Sequence, residues 1–321
     1  MKRNIVAVLI VLGANLLVLQ GAQAFPDRPI KLVVASPAGS PPDVMARLLS
    51  DKMGDVLGQP VIVENRPGAG GTIGAKSVVA AEPDGYTLLM GSTSTLLIAP
   101  AAYKNAGYNA GTFTPIARVA DTSEVLAVYP SVAAKSVAEL VNLAKSKPGA
   151  LNYASAGNGT LPHIEGELLK ASAKIDMNHI PYRGGGNALT ALVAGQVQVF
   201  FSVLTQMLPY IQEGRLRGLA ISSATRSKLA PDLPTMVESG FPQFVTTSIT
   251  AIVAPPNVPA DIKQRLSEAV NRALASADAQ RALATMGGEA RPSSPEELAS
   301  YLAEAQQHWA GIIAATHIAI E

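Results

Sequence analysis

The sequence predicts an α/β protein of two lobes that face each other across a cleft. Three observations carry this. Extended apolar runs alternate with helical runs along most of the chain, the pattern of strand–helix–strand units with parallel sheet and right-handed crossovers. Several strand ends run into corners of small, polar or glycine residues. Two stretches, near residues 114–129 and 246–254, are extended with little helix beside them and read as two crossovers between the lobes.

Taken in order, residues 30–35 are apolar and β-rich and end in Ser36-Pro37-Ala38-Gly39-Ser40-Pro41-Pro42-Asp43. A helix fits 44–57, with Val44, Leu48, Leu49, Met53 and Val56 along one face, and Gly58 stops it. Residues 61–63 form a strand, 74–81 a short helix, and 87–90 a third strand running into Gly91-Ser92-Thr93-Ser94-Thr95. Residues 115–119 and 125–129 are the first passage. The alternation then resumes as strand 151–154, helix 162–173, strand 178–181, helix 187–194, and strands 197–203 and 216–221. After the return passage the sequence predicts helices alone. Ile262, Leu266, Val270 and Leu274 share one face. Ser294 and Glu297 form a capping box with Pro295 at the first helical position, and Leu298, Leu302, Ala305, Trp309 and Ile312 continue an apolar stripe. The lobes are expected over 25–122 plus 245–321 and over 123–244.

The front of the chain reads as an export signal. Lys2 and Arg3 precede an almost wholly apolar run from 5 to 19, and Ala22-Gln23-Ala24 offers a small-x-small cleavage site before Phe25. The apolar run is shorter than the ~20 residues of a spanning helix. With no cysteine in the chain, a lipid anchor, disulfides and thiolate metal sites are excluded. The expected location is the periplasm. The 25 basic and 24 acidic residues leave no basic field for nucleic acid or anionic lipid.

Ligands of open α/β sheets bind beyond the carboxyl ends of the strands. That places the corners at 36–43, 92–95, 155–160 and 182–186 around one cleft. Such corners bare N–H groups at helix N-termini, where partial positive charge gathers, so an anion is held with few cationic side chains. Candidate contacts are Ser36, Gly39, Ser40 and Asp43; Ser92 and Thr93; Ser155, Ala156, Asn158 and Thr160; Tyr182, Arg183, Gly184 and Gly185; and Thr247 and Ser248 on the return passage. Bland readings stand beside these. Asp43 either caps its helix or meets a ligand. Ser155, Asn158 and Thr160 either shape a turn or bind. Arg183 either clamps a carboxylate bidentately or pins its own loop.

Two enzyme readings are weaker. Gly68-Ala69-Gly70-Gly71-Thr72-Ile73-Gly74 follows a strand and enters a helix, but its third glycine is one residue late for a dinucleotide fingerprint. No Gly-x-Ser-x-Gly occurs, and none of His163, His179, His308 and His317 belongs to a His-Glu-x-x-His motif. No catalytic residue, metal site or cofactor is expected.

Six stretches then converge. Pro29-Ile30-Lys31-Leu32-Val33-Val34, Val63-Glu64-Asn65-Arg66-Pro67-Gly68-Ala69-Gly70-Gly71, Pro83-Asp84-Gly85-Tyr86-Thr87-Leu88-Leu89, Ser155-Ala156-Gly157-Asn158-Gly159-Thr160, Pro181-Tyr182-Arg183-Gly184-Gly185-Gly186 and Pro234-Thr235-Met236-Val237-Glu238-Ser239-Gly240 run in order along the chain. Together they resemble the periplasmic receptors of tripartite tricarboxylate transporters, the Bug family. The resemblance implies a two-lobed, periplasmic-binding-protein-like fold of type II, with two hinge crossovers and a ligand cleft between the lobes. It implies capture by closure of a small organic anion, such as an organic acid, acidic amino acid or aromatic acid. It also implies delivery by a monomer to a permease of one large and one small membrane subunit. The alternative is a sensor that presents the same closed form to a histidine-kinase ectodomain. Against the family pattern, Ser36 replaces an aromatic, Ser40 a glycine, Pro42 a Thr or Ser, Ile249 a Trp and Ser202 an Asp. Ser202 joins the candidate contacts on this ground. A differently shaped and less acidic cleft is expected.

Overall fold

The computed structural model describes residues 25–316 together with Ile318 and Ile320; the export signal expected at 1–24 lies outside the described residues. Strand β1 (Ile30–Val34) lies inside a first sheet, with β2 (Val61–Asn65) and β3 (Thr87–Ser92) parallel on either side. All of β1 except Lys31 is buried, as a strand covered on both faces must be. Helix α1 (Pro41–Leu57) starts earlier than its apolar periodicity suggests, because Pro41 and Pro42 fit a first turn whose N–H groups have no helical partner anyway. Gly58, at φ 74°, ends it by donating its N–H to the Gly54 carbonyl. Two apolar stripes compete on α1. Met45, Leu49 and Met53 are buried, whereas Val44 is 44% and Val56 37% exposed, so the expected face was rotated from the real one.

Helix α2 (Thr72–Val79) follows the glycine loop, and a wide helical turn at Ser94–Ile98 leads from β3 into the short α3 (Ala99–Ala102). Strand β4 (Thr114–Thr122) then ends, and after Ser123 alone β5 (Glu124–Val128) begins in the other sheet. The second sheet is made with β6 (Asn152–Ser155), β7 (Asn178–Pro181), β8 (Val199–Val203) and β9 (Arg217–Ile221). Helices α4 (Val137–Ser146), α5 (Leu161–Ala173), α6 (Gly185–Val193) and α7 (Leu204–Gln212) belong to this half. The chain returns through β10 (Ser248–Ala254) and closes with α8 (Ala260–Ala275), α9 (Ala277–Thr285), β11 (Gly288–Ala290) and α10 (Pro295–Thr316).

The sheet orders are β11-β4-β10-β3-β1-β2 and β7-β6-β8-β5-β9. Neither is wholly parallel, because the crossing strands insert against their neighbours: β10 is antiparallel to β3 and β4, and β5 to β8 and β9. Three helices, α3, α4 and α7, were not anticipated, although Ser136 caps α4 by accepting the Glu139 N–H at 3.2 Å, a pairing visible in the sequence. The tail of the chain is not helical throughout. Gly288–Ala290 pairs with the edge of β4, a contact too short to leave a periodic signal.

Helix α10 packs on both β4 and α5. One apolar cluster runs from Val33, Leu89 and Ile249 through Leu298, Leu302 and Trp309 on α10 to Leu126 and Phe201 in the second sheet. Leu302→Ala leaves a cavity in this shared core and is expected to lower stability by about 2–5 kcal/mol. Urea unfolding followed by Trp309 fluorescence measures it, and a change below about 1 kcal/mol would mean that α10 does not brace the two halves.

Candidate functional site

The strand ends surround a cleft of ≈ 720 Å³. Of the expected contacts, Ser36, Ser40, Ser92, Ala156, Asn158, Thr160, Tyr182, Arg183, Gly184, Gly185, Ser202 and Ser248 line it; Gly39, Asp43, Thr93, Ser155 and Thr247 do not. Four of these five are occupied with the corners themselves, and Thr247 is half-buried beside the lining.

Asp43 braces the first corner. Its carboxylate accepts the Gly39 N–H at 2.8 Å and the Asn65 amide at 2.9 Å, and pairs with Arg47 at 3.1 Å. Burial pushes this carboxyl up, but Gly39, Arg47 and Asn65 outweigh burial and hold it below the usual range. It is neither the helix cap nor a group left open to a ligand. The cap position is Ser40, whose side chain makes no capping bond; its Oγ is buried without a partner.

Thr93 is fully buried, and its Oγ1 accepts the Ile249 N–H at 2.8 Å, which ties the return strand to the end of β3. Ser92, Ser94 and Thr95 line the cleft on either side of it. Ser94 Oγ also accepts the Leu161 N–H at 3.0 Å, across from one half to the other. Tyr103 makes a second such link by donating its hydroxyl to the Asn158 carbonyl at 2.9 Å.

Behind the third corner, Ser155 Oγ lies 2.6 Å from His179 Nε2 and accepts the Gly157 N–H at 3.1 Å. His163 stacks on His179 at 4.1 Å between ring centroids, and its Nδ1 accepts the Gly159 N–H at 3.2 Å. The two imidazoles thus hold the backbone that carries Ala156, Asn158 and Thr160 into the cleft. The fourth corner is laid against the third by Tyr182 N–H to the Ser155 carbonyl (3.0 Å) and Gly184 N–H to the Ala156 carbonyl (3.1 Å).

The helix N-termini do not contribute equally. Pro41 and Pro42 at α1, and Pro162 at α5, have no N–H to offer, and the Leu161 N–H is taken by Ser94. The first-turn N–H groups of α6 at Gly185 and Gly186 are paired with no other group of the described residues. A Cβ at Gly185 would meet nothing within 4 Å, so this terminus is open. Arg183 lies beside it, exposed and in the lining.

Several lining residues carried no signal as contacts in the sequence. Gly68 to Gly71 form one wall; Gly71, at φ 97°, could not bear a Cβ without colliding with the Thr95 hydroxyl. Thr122, Glu124, Gln206 and Thr250 form the floor with Ser202 and Ser248. Despite Ser202, the cleft keeps an acid: Glu124, one strand away. Among the described lining residues Glu124 is the sole acidic residue and Arg183 the sole basic one. Burial pushes the Glu124 carboxyl up to about 8; Glu165, behind it on α5, is raised by its own burial and by Glu124.

Two opposite pH effects follow. Burial pushes His179 down from 6.5 to about 4, so the folded state binds fewer protons there than the unfolded chain and stability falls as pH drops through this window. Raised carboxyls do the reverse, lowering stability as pH rises from 4.5 towards about 8. His179→Phe is expected to flatten the acid limb of a plot of unfolding free energy against pH and leave the alkaline limb in place. An acid limb unchanged in the variant would exclude His179 as its source.

Comparison with known proteins matches this arrangement. Residues 45–318 fit the profile of the family described as tripartite tricarboxylate transporter family receptor. Protein BugT of Bordetella pertussis is 35% identical over 297 residues, covering 92% of this chain and 91% of its own. The periplasmic binding protein BugD superposes with a TM-score of 0.84 at 31% identity, over 92% of this chain and all of its own (100%). MatC from Rhodopseudomonas palustris, solved with bound malate, superposes with a TM-score of 0.84 at 34% identity, over 90% of this chain and 100% of MatC. The fold is therefore the two-lobed one of periplasmic binding proteins, and its relatives are receptors that bind solutes rather than enzymes. The chain belongs to the tripartite tricarboxylate transporter receptor family and is a solute-binding protein of the Bug type.

Proposed function

We propose that the cleft captures a small carboxylate-bearing metabolite and that the closed protein delivers it to a permease of one large and one small membrane subunit. The lobes are taken as 25–122 plus 245–321 and 123–244, with the mature protein working in the periplasm as a monomer. The observation that carries this reading is the open N-terminus of α6, where Gly184 and Gly185 line the cleft beside Arg183. An anion there meets unpaired main-chain N–H groups, the helix dipole and one guanidinium together. Ser36, Ser92 and Tyr182 also line the cleft and offer hydroxyl donors to such a ligand. The malate held by MatC, at 34% identity, supports the same ligand class.

Capture is a shift of population. A ligand closes the lobes only by as much as it binds the closed form better. Ser94–Leu161 and Tyr103–Asn158 are bonds between halves that a closed form can use.

A panel of organic acids, acidic amino acids and aromatic acids followed by thermal shift is expected to contain a binder. At ~100 times its Kd such a ligand adds about 2.7 kcal/mol to stability. Arg183→Ala is expected to weaken that binder by roughly 10- to 100-fold in calorimetry, the loss of one charge-assisted contact. A panel without a single hit, or a variant of unchanged affinity, would count against this reading of the cleft.

A further inference from the structure

Glu124 opens β5 directly after the crossing residue Ser123. The residue is 4% exposed, it lines the floor of the cleft, and its Oε2 is buried with no hydrogen-bond partner. Glu165 on α5 is wholly buried behind it; its Oε1 accepts the Thr246 hydroxyl at 2.5 Å, and its Oε2 is also without a partner.

The surroundings offer no countercharge. Strand β8 presents Ser202 and Val203 beside β5, the end of β9 presents Ser222, and the two passages present Thr122 and Thr246. None of these ionises in the physiological range. Asp121 on β4 is paired with Arg118 and Arg291. His163 on α5 is engaged with His179 and is held neutral by burial. Arg183 is exposed and forms no ion pair with Glu124. No ion pair among the described residues includes Glu124 or Glu165.

Two buried carboxyls without a cation cannot both ionise cheaply, and a carboxylate ligand in the same cleft would add a further negative charge. An ionised Glu124 would repel that ligand. A neutral Glu124 supplies an O–H donor at the one acidic position of the lining. We propose that Glu124 determines specificity in this cleft: it is protonated when a carboxylate ligand binds and donates a hydrogen bond to a ligand oxygen, so that in the alkaline range, where the free protein ionises this carboxyl, capture takes up a proton from solvent. The proposal rests on the carboxylate reading of the cleft. It assigns the ligand a second acceptor, a distal carboxylate, carbonyl or hydroxyl oxygen, that reaches the floor while the first carboxylate sits at α6.

The test is calorimetry from about pH 6.5 to about pH 9 in buffers of different ionisation enthalpy, with malate or, if malate gives no heat, the tightest binder among straight-chain dicarboxylates and benzoate. Because burial pushes Glu124 up to about 8, Kd is expected to rise about tenfold across this range with measurable proton uptake at its alkaline end. Glu124→Gln, which keeps a donor and does not ionise, is expected to lose both effects and to bind about tenfold more tightly than wild type at pH ~9. Glu165→Gln, outside the lining, is expected to retain proton uptake. Binding that is independent of pH and takes up no proton overturns the proposal and leaves the carboxylate reading standing. Uptake that persists in Glu124→Gln, or disappears only in Glu165→Gln, also overturns it. Absence of binding by every probe at every pH removes the carboxylate reading and the proposal together.

Discussion

The two sheets are joined where the chain crosses between them, and the rest of the molecule is arranged around that join. On the way out, β4 and β5 are separated by Ser123 alone. On the way back, the Thr246 N–H bonds to the Ser222 carbonyl, and the Ser222 N–H to the Glu124 carbonyl, both at 3.0 Å. These main-chain bonds set the passages side by side and so make the floor of the cleft from Thr122, Glu124 and Ser248. Helix α10 bridges the halves away from the cleft. A passage this short cannot be lengthened or displaced without moving the floor, which couples the binding site to the backbone that links the lobes.

The corners above that floor show a division of labour among small polar residues. Ser92 and Ser94 line the cleft while Thr93 between them points inward to Ile249; Ala156 lines it while Ser155 points back to His179. At these strand ends neighbours in sequence take opposite roles. Bracing of this kind matters because three of the first-turn positions at α1 and α5 are prolines. The corners cannot rely on main-chain donors there, and hydroxyls take their place. The open terminus of α6 adds its positive potential to the site.

Charge in the cleft is correspondingly sparse. Arg183 is exposed and Glu124 is buried. An exposed guanidinium retains its hydration and contributes modestly until a ligand covers it, whereas a carboxyl out of water is governed by desolvation. The two charged side chains of the lining therefore differ in kind: one is hydrated, and the other is governed by its removal from water.

Much of this was legible in the chain. The alternation of runs, the glycine and hydroxyl corners and the two helix-poor passages are local patterns, and local patterns determine strand, helix and turn; they sufficed for two α/β lobes with a cleft at the strand ends. The capping box at Ser294 and Glu297 formed as its spacing implies. The sequence could not show which stripe of α1 would be buried, because Val44 and Met45 are equally apolar and only the sheet beneath decides between them. It could not show that β11 would pair with β4, since three residues carry no period. Nor could it mark Glu124 as part of the site. Nothing in its immediate sequence distinguishes it; burial beside Glu165, far along the chain, does. Strands and corners are properties of neighbouring residues, but burial, charge coupling and the direction in which a side chain faces are set by contacts between distant ones, and these exist only once the chain has folded.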